Sequence, residues 1–290
     1  MTSKLKNLDK YNLLHNKNAL EVFPNPFPHI IIRDALPSIL VDELTTAFPI
    51  NKFQSIKNLN NIRMDLSCEQ VLKENDIPII WKELIKYHSS SEFFYKLVDL
   101  FRDFIDDDAK SYIQSLKKDQ IGIRNINKNK KIYLDAQISV NSPVFSVNSV
   151  RECHVDSGNK LYSGLFYLRQ DNDFSNGGDL QLCKWKDGIS HDAKLKLYRE
   201  GLSKNYFDVY NEIKYEKNVA IFFINSLDSL HLVTPRNKTN QFRTFANFVA
   251  EAPIDFYQKE TFFRQNFNKI LANTIKIIKR VLRFKKNKSP

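Results

Sequence analysis

RECHVDSGNKLYSGLFYL, residues 151–168, is the stretch that decides the fold. Its pattern predicts two strands, at 151–156 and 161–169, separated by a short turn. His154 and Asp156 stand two residues apart on the first of them. Because side chains i and i+2 project from the same face of a strand, this imidazole and this carboxylate can reach one metal ion.

The same strand-like periodicity recurs on both sides of this stretch. Further strands are predicted at 29–33, 132–141, 144–148, 178–185, 217–224, 230–234 and 242–250. Helices are predicted at 37–48, 79–88 and 91–106. So many short strands in the second half of a chain are typical of a jelly-roll or barrel. The fold class expected is therefore mainly β with supporting α, built as a double-stranded β-helix (jelly-roll) core with N-terminal helices and a C-terminal basic helix.

Changes in composition divide the chain into four predicted segments. These are a loosely ordered N-terminus (1–25), a helical support region (26–130), the double-stranded β-helix core (131–253) and a basic amphipathic tail (254–290). Within them, residues 116–131 are expected to form a basic loop. The polar connection at 186–216 supports no secondary-structure prediction.

A second histidine and an arginine complete the pattern that begins at His154 and Asp156. His231 lies on the predicted strand 230–234, and Arg243 follows twelve residues later on the strand 242–250. Two histidines and one carboxylate form the facial triad of non-haem Fe(II) oxygenases, which leaves coordination positions open. A buried arginine beside such a site could bind the carboxylate of an organic acid in a bidentate manner.

The order H-x-D, then H, then R about a dozen residues later resembles the Fe(II)/2-oxoglutarate dioxygenase superfamily, and its prolyl 4-hydroxylase-like branch in particular. YSGLFYL (162–168) is similar to the strand that follows H-x-D in that branch, and NGGDL (176–180) to its glycine turn. The resemblance covers roughly residues 130–250. A weaker likeness to the start of such domains is found at 26–37.

The resemblance implies a cofactor, a cosubstrate and their ligands. Fe(II) would be bound by the two histidines and Asp156, and 2-oxoglutarate would pair through its C5 carboxylate with Arg243. A tyrosine at the position of Tyr167 would donate a hydrogen bond to that carboxylate, and ascorbate is a candidate reductant. By strand alternation, Asn247 shares a face with Arg243 and is a candidate pocket residue. The strand before the motif offers looser candidates: Gln137, Ser139 and Asn141.

The resemblance also narrows the reaction. Halogenating relatives lack the carboxylate ligand that Asp156 supplies here, so we expect hydroxylation of an amino-acid or peptidyl side chain or of a small metabolite. Nucleic-acid demethylases of the superfamily carry a second arginine six residues after the first, where this chain has Val249; a nucleic-acid substrate is therefore not expected. Two other classes stay open. A cupin-type metal enzyme that does not use 2-oxoglutarate would not need Arg243 and Tyr167, and a non-catalytic jelly-roll binding protein would need none of these residues.

The composition of the chain indicates the size of its core and the cellular compartment in which it is expected. The chain has 290 residues, of which 42% are hydrophobic, enough for one large core. Three cysteines form no disulfide framework and indicate a reducing compartment. The first ten residues lack the apolar segment of a signal peptide, and no apolar run reaches the roughly 18 residues of a membrane span. A cytoplasmic location is expected.

The C-terminal tail carries most of the positive charge. Nine lysines and arginines and no acidic residue lie in 261–290, within a chain of net charge +11. Apolar residues recur there at helical spacing, which is typical of an amphipathic helix that lies on a surface. That surface could be the protein's own core, an anionic membrane, which would make the protein peripheral, or a nucleic acid.

Overall fold

The computed structural model describes residues 9–15, 20–149, 151–198 and 201–257. Its strands are β1 (His29–Arg33), β2 (Arg63–Leu66), β3 (Ile121–Ile123), β4 (Ile132–Asn141), β5 (Lys160–Tyr167), β6 (Leu180–Trp185), β7 (Phe207–Ile213), β8 (Val219–Ile224), β9 (His231–Val233) and β10 (Arg243–Glu251). Its α-helices are α1 (Ser38–Thr46), α2 (Cys68–Lys73), α3 (Ile79–His88), α4 (Ser91–Leu100), α5 (Asp107–Gln114) and α6 (His191–Leu197). Short 3₁₀ turns lie at Asp9–Tyr11, Ile50–Ile56 and Lys118–Gln120.

Two sheets form the core of the molecule. The larger has the strand order β1-β8-β5-β10-β4-β2, with β3 paired in parallel to β4, and the smaller has the order β7-β6-β9. All other neighbouring strands are antiparallel. The two sheets share an apolar interior and make a double-stranded β-helix, so the mainly β fold predicted from the sequence is confirmed.

The larger sheet is covered on both faces, and β8 shows why. All six of its residues are buried. Ile221 and Phe223 face the smaller sheet and pack with Leu182 of β6, whereas Phe222 packs with Phe93 of α4 in the layer of helices. A strand buried on both faces must be apolar throughout, which explains the uninterrupted VAIFFI sequence. The helices thereby leave the inner face of the sheet free for a site.

Two predicted strands are wrong. Residues 144–148 and 151–156 form single bridges only, at Val144 with Thr239, Asn148 with Arg236, Cys153 with Leu202 and His154 with His231. Each bridge has a different partner, so no continuous ladder can form along either segment. The chain is nevertheless extended locally at His154, which is the feature that the i, i+2 pattern required.

The long predicted helix 91–106 ends early. α4 stops at Leu100, and α5 begins at Asp107 after a turn. The side chain of Asp106 accepts a hydrogen bond from the backbone N–H of Ala109 at 3.0 Å. Aspartate in that position caps the start of a new helix, and the competing cap divides the apolar pattern into two helices.

Two connections contain more structure than the sequence indicated. The basic segment 116–131 includes β3, which pairs with β4. Segment 186–216 contains α6 and β7. Ser190 caps α6 through its hydroxyl, which accepts from the N–H of Ala193 at 3.2 Å.

Both predicted end segments need correction where the structure describes them. Tyr11, Leu13 and Leu14 are fully buried in the main core, so this part of the segment 1–25 is packed because its apolar residues find partners in the layer of helices. At the other end, Tyr257 is buried with Cys153 and Val155, and Phe256 packs on Tyr112, so residues 254–257 pack on the core and are not part of a separate tail. The helical support region 26–130 also contributes three strands to the larger sheet: β1, which was predicted at 29–33, and β2 and β3, which were not predicted.

The predicted C-terminal helix and its membrane contact fall on 258–290, outside the described residues, as do residues 1–8. Among the described residues, no helix combines the length and hydropathy needed to cross a bilayer.

Candidate metal and cosubstrate site

His154 and His231 are brought together by a two-way backbone bridge. The N–H of each residue donates to the carbonyl of the other at 3.0 Å, and the two rings are 4.4 Å apart between centroids. His231 is the first residue of β9, so the smaller sheet fixes its position. Although 77 positions separate the two histidines along the chain, the bridge sets them side by side.

Each histidine ring is oriented by a backbone carbonyl. Nδ1 of His154 lies 2.7 Å from the carbonyl oxygen of Glu152, and Nδ1 of His231 lies 2.9 Å from that of Ser229. A carbonyl only accepts hydrogen bonds, so both Nδ1 atoms carry the proton and both Nε2 atoms present a lone pair. Metal-binding histidines usually donate their other ring N–H to a carboxylate, a backbone carbonyl or water, which fixes the tautomer and the orientation of the ring.

Asp156 is held with one oxygen turned toward the histidines. Its Oδ2 accepts from the hydroxyl of Ser163 at 2.7 Å, and Ser163 in turn accepts from the side-chain amide of Asn225 at 3.1 Å. Its Oδ1 lies 3.9 Å from Nε2 of His154. Two ligands that each lie about 2.1 Å from one ion are roughly 3–4 Å apart, so this pair has the spacing of a shared metal.

The protonation states suit metal ligands. Burial lowers the pKa of His154 well below its usual range and also lowers the pKa of His231, so both rings are neutral near pH 7. Burial alone would raise the pKa of Asp156, but the ammonium of Lys160 and the hydrogen bond from Ser163 hold it far below its usual value. Neutral imidazoles and an ionised carboxylate are the forms that bind a metal ion.

The donor set therefore fits a divalent metal. The ligand atoms of His154, Asp156 and His231 all lie within 4.8 Å of one another, and no other such group of three occurs among the residues that the structure describes. Two nitrogens and one oxygen suit Fe(II), with coordination positions left for other ligands.

Arg243 is a buried cation that does not use all of its hydrogen-bond donors. Its side chain is only 2% exposed. Nε donates to the carbonyl of Gly178 at 2.9 Å and Nη1 donates to Oδ1 of Asn141 at 3.2 Å, but Nη2 has no partner. Burying a charge is costly unless an anion accompanies it. The guanidinium is thus prepared for an anionic ligand.

Three aromatic rings and a glycine shape the space around that guanidinium. Its carbon lies 4.9, 4.9 and 4.8 Å from the ring centres of Tyr167, Tyr215 and Phe245. Gly178 has φ +80°, and a Cβ added there would lie 3.1 Å from Nε of Arg243. The glycine turn predicted from the sequence therefore lets the backbone approach the arginine closely enough to accept its hydrogen bond.

One cavity of about 420 Å³ connects the metal ligands with Arg243. Asn247, Gln137 and Asn141 line it as expected, and Asn247 donates to Oε1 of Gln137 at 2.7 Å. Ser139 lies on the same strand between the last two and is buried, with its hydroxyl unpartnered. Gln137 and Asn141 of the predicted polar face of β4 thus belong to the cavity wall, whereas Ser139 does not line the cavity.

Tyr167 occupies a less direct position than expected. It is fully buried beneath the guanidinium of Arg243 and is absent from the cavity lining, although its hydroxyl has no hydrogen-bond partner. Burial raises the pKa of this hydroxyl, so it remains a proton donor near pH 7. A bond from Tyr167 to the cosubstrate stays a prediction.

Sequence reasoning missed several residues of the site. Ser163 fixes Asp156, and strand alternation could have suggested it because it shares a face with Tyr167. Lys160 and Arg151 approach Asp156 at 3.2 and 3.7 Å, but charged residues at loop ends carry no distinctive signal.

No protein-family model and no curated protein matches the chain. Solved structures with a similar arrangement include a viral collagen prolyl hydroxylase from Paramecium bursaria Chlorella virus-1 in a 2OG complex, with 14% identity, TM-score 0.40 and coverage of 78% of this chain and 96% of that one. A Pseudomonas putida prolyl-4-hydroxylase has 10% identity and TM-score 0.42, covering 84% and 99%. A putative oxygenase from Shewanella oneidensis has 13% identity and TM-score 0.48, covering 83% and 90%. Likenesses this distant concern the fold, so a functional proposal must rest on the site residues themselves.

Proposed function

We propose that this protein is an Fe(II)- and 2-oxoglutarate-dependent dioxygenase that acts as a hydroxylase. The observation that carries the proposal is the incompletely satisfied guanidinium of Arg243 in the same cavity as a two-histidine, one-carboxylate group. A metal site alone would fit many enzymes. A buried cation at the far end of its cavity requires a ligand with an anionic end, and 2-oxoglutarate carries one at each end.

The three ligands would hold the iron through Nε2 of His154, Nε2 of His231 and Oδ1 of Asp156. Bound iron and 2-oxoglutarate would together supply oxygen activation, chemistry that protein side chains lack. Arg243 would pair with the C5 carboxylate and fix the direction of the cosubstrate, since a planar guanidinium binds a carboxylate in one plane.

The remaining cavity wall would keep the reaction dry. Six apolar side chains contribute to it: Leu165, Leu180, Phe223, Val233, Phe245 and Val249. Excluding water strengthens the pairing of Arg243 with its carboxylate and protects reactive species from side reactions. The Ser163 hydroxyl keeps Oδ2 of Asp156 occupied, so Oδ1 remains the metal-facing oxygen.

The proposed substrate is an amino-acid side chain, free or within a peptide, or a small metabolite. A volume of about 420 Å³ must hold the cosubstrate and the reacting part of the substrate, which leaves room for a small group. Whether ascorbate is needed as a reductant stays a prediction from the resemblance alone.

The decisive experiment measures metal and cosubstrate binding before turnover. Purified protein should bind one Fe(II) per chain, and calorimetry without oxygen should show 2-oxoglutarate binding that depends on the metal. In air, the protein should form succinate slowly without substrate. His231→Ala should abolish both metal binding and succinate formation, whereas His191→Ala, a matched change of an exposed histidine on α6, should change neither.

Two results would redirect the proposal. Full activity in the His231→Ala variant would remove this residue from the metal site. Metal binding without any 2-oxoglutarate binding would favour the cupin-type alternative, in which Arg243 serves another anion.

A further inference from the structure

The cations at the mouth of the cavity differ in how they are neutralised. Arg63 pairs with Asp65 through Nε at 2.9 Å. Arg124 pairs with Glu251 at 3.2 Å and with Asp135 at 3.5 Å. Each of these two arginines therefore has carboxylates outside the proposed metal ligands.

Arg151 and Lys160 have a different carboxylate partner. Both approach the same atom, Oδ1 of Asp156, at 3.7 and 3.2 Å. This is the oxygen that faces His154 and would bind the metal. One carboxylate then has to serve a divalent ion, a guanidinium and an ammonium, so a surplus of positive charge remains beside it.

Lys160 enters the cavity from the end of β10 that is opposite to Arg243. Lys160 is opposite Glu251 in the pairing of β5 with β10, and Arg243 is the first residue of β10. Eight residues of strand separate these positions, roughly 26 Å of backbone at about 3.3 Å per residue. A cosubstrate paired with Arg243 therefore leaves this second cationic end for another molecule.

We propose that the substrate of this site carries an oxyanion group, a carboxylate or a phosphate, which Arg151 and Lys160 bind on the side of the metal away from Arg243. This inference rests on the proposed function, because a bound metal would neutralise the Asp156 carboxylate with which the two cations pair. Arg151 supplies a planar fork for the oxyanion and Lys160 a compact charge. Arg151 is 54% exposed and Lys160 is 20% exposed at the side chain, so the pair reaches from solvent into the wall of the cavity.

The test starts from the loaded protein. Fe(II) and 2-oxoglutarate binding are measured first by calorimetry without oxygen, and failure at this stage counts against the proposed function rather than against the anion site. At saturation with both, three probes are titrated: sulfate, N-acetylglycine and the uncharged N-acetylglycinamide. Sulfate represents a phosphate group, and N-acetylglycine represents a carboxylate.

Wild-type protein should bind at least one of the two anions about tenfold or more tightly than the amide. Arg151→Gln and Lys160→Met should each weaken that anion by about tenfold, the loss of one charge-assisted contact, and should leave the amide unchanged. Arg33→Gln is the matched control, because Arg33 is an exposed arginine paired with Glu216 on the outer surface; it should bind the anion as wild type does.

The relative strength of sulfate and N-acetylglycine then assigns the substrate to the phosphate or the carboxylate class. Equal binding of anion and amide, or no binding of either anion to the saturated complex, would overturn the proposal. So would an equal loss of anion binding in the Arg33→Gln control, since the effect would then reflect overall charge.

Discussion

Arg236 and Arg243 are two buried arginines that meet the same glycine, yet they have different surroundings. Both are almost inaccessible, at 0% and 2% exposure, and both lie within 3.2 Å of a Cβ placed on Gly178. Nη1 and Nη2 of Arg236 donate to the carbonyls of Ser142 and Gln241 at 3.1 and 3.0 Å, and its Nε has no partner, but Arg236 does not line the cavity. Nη2 of Arg243 donates to nothing and lies in a residue that lines the cavity. Burial alone therefore does not mark a binding residue; an unused donor directed at a cavity does.

The largest expected effect separates the two arginines by ligand affinity. Arg243→Met should weaken 2-oxoglutarate binding on the order of a hundredfold or more, because loss of a buried charge partner costs about 3–5 kcal/mol. Its free energy of unfolding should fall by about 1 kcal/mol or less, since Asn141, one of its two acceptors, lines the cavity and water can replace the lost donor there. Calorimetry and urea unfolding measure the two quantities. An unchanged affinity for 2-oxoglutarate would place the cosubstrate elsewhere.

Arg236→Met should show the reverse behaviour. The carbonyls of Ser142 and Gln241 would lose their donors, and buried unsatisfied groups cost about 1–3 kcal/mol each. We expect the free energy of unfolding to fall by about 2–4 kcal/mol, while metal-loaded protein that is still folded keeps its 2-oxoglutarate affinity. If the Arg236→Met variant were as stable as wild type but no longer bound 2-oxoglutarate, the proposed difference in role between the two arginines would be wrong.

His88, a buried histidine outside the candidate site, gives a prediction about how stability depends on pH. Burial lowers the pKa of His88 to about 3, in the core and away from the site. Because the folded-state pKa lies below the unfolded value of about 6.5, the unfolded state binds the proton first, and stability is lost as pH falls from about 6.5 toward 3. His88→Leu should therefore remove about 2 kcal/mol of the stability lost between pH 7 and pH 5. Urea unfolding at both pH values tests this, and identical acid sensitivity in the variant would contradict it.

Two tyrosines beneath Arg243 give a smaller contrast. The hydroxyl of Tyr167 is unpartnered, whereas that of Tyr215 accepts from the N–H of Thr244 at 2.8 Å. Tyr167→Phe should weaken 2-oxoglutarate binding by about 1.5 kcal/mol, the lower end for a hydrogen bond to a charged group. Tyr215→Phe should instead reduce stability by a similar amount. If Tyr167→Phe binds 2-oxoglutarate as wild type does, its hydroxyl has no role in the pocket.

The smallest effect on ligand affinity is expected when the residues after Tyr257 are removed. Truncation after this residue should leave Fe(II) and 2-oxoglutarate affinities within about twofold, since every proposed ligand precedes it, and should abolish any salt-sensitive binding to anionic vesicles. Truncation after Ile254 is the contrast, because it also removes Phe256, whose N–H donates to the carbonyl of Gly158 at 2.7 Å. That variant should lose stability. Equal vesicle binding by the full chain and the chain cut after Tyr257 would remove the membrane hypothesis.

The candidate metal ligands were predictable because the spacing of two residues that marks them is a local feature of the sequence. His154 and Asp156 needed only an extended backbone, which one bridge supplies although the predicted strand is absent. Arg243 was predictable as an inward residue because successive side chains of a strand such as β10 point to opposite faces of the sheet. Arg236 and Tyr215 were not, since Arg236 follows a proline in a loop and Tyr215 lies in a polar connection where no periodicity indicates burial.

β7 shows a second reason why part of the fold was missed. Only its first and last residues are buried, and the five between them are exposed. A strand with one solvent-exposed stretch has no alternating apolar pattern to detect. β7 forms because it pairs with β6, which lies about 25 residues earlier in the chain. A pattern confined to a few neighbouring residues cannot indicate such a pairing.

β10 is hydrogen-bonded to β4 along all nine residues and to β5 from Phe245 onward. Asn247 and Glu251 therefore project from a backbone that is anchored on both edges, and Arg243 from the end of β10 that is paired with β4. Amide protons of such a strand exchange with solvent only when the whole domain opens. Binding at Arg243 then demands little ordering of the backbone, and the conformational entropy of the pocket is already spent during folding.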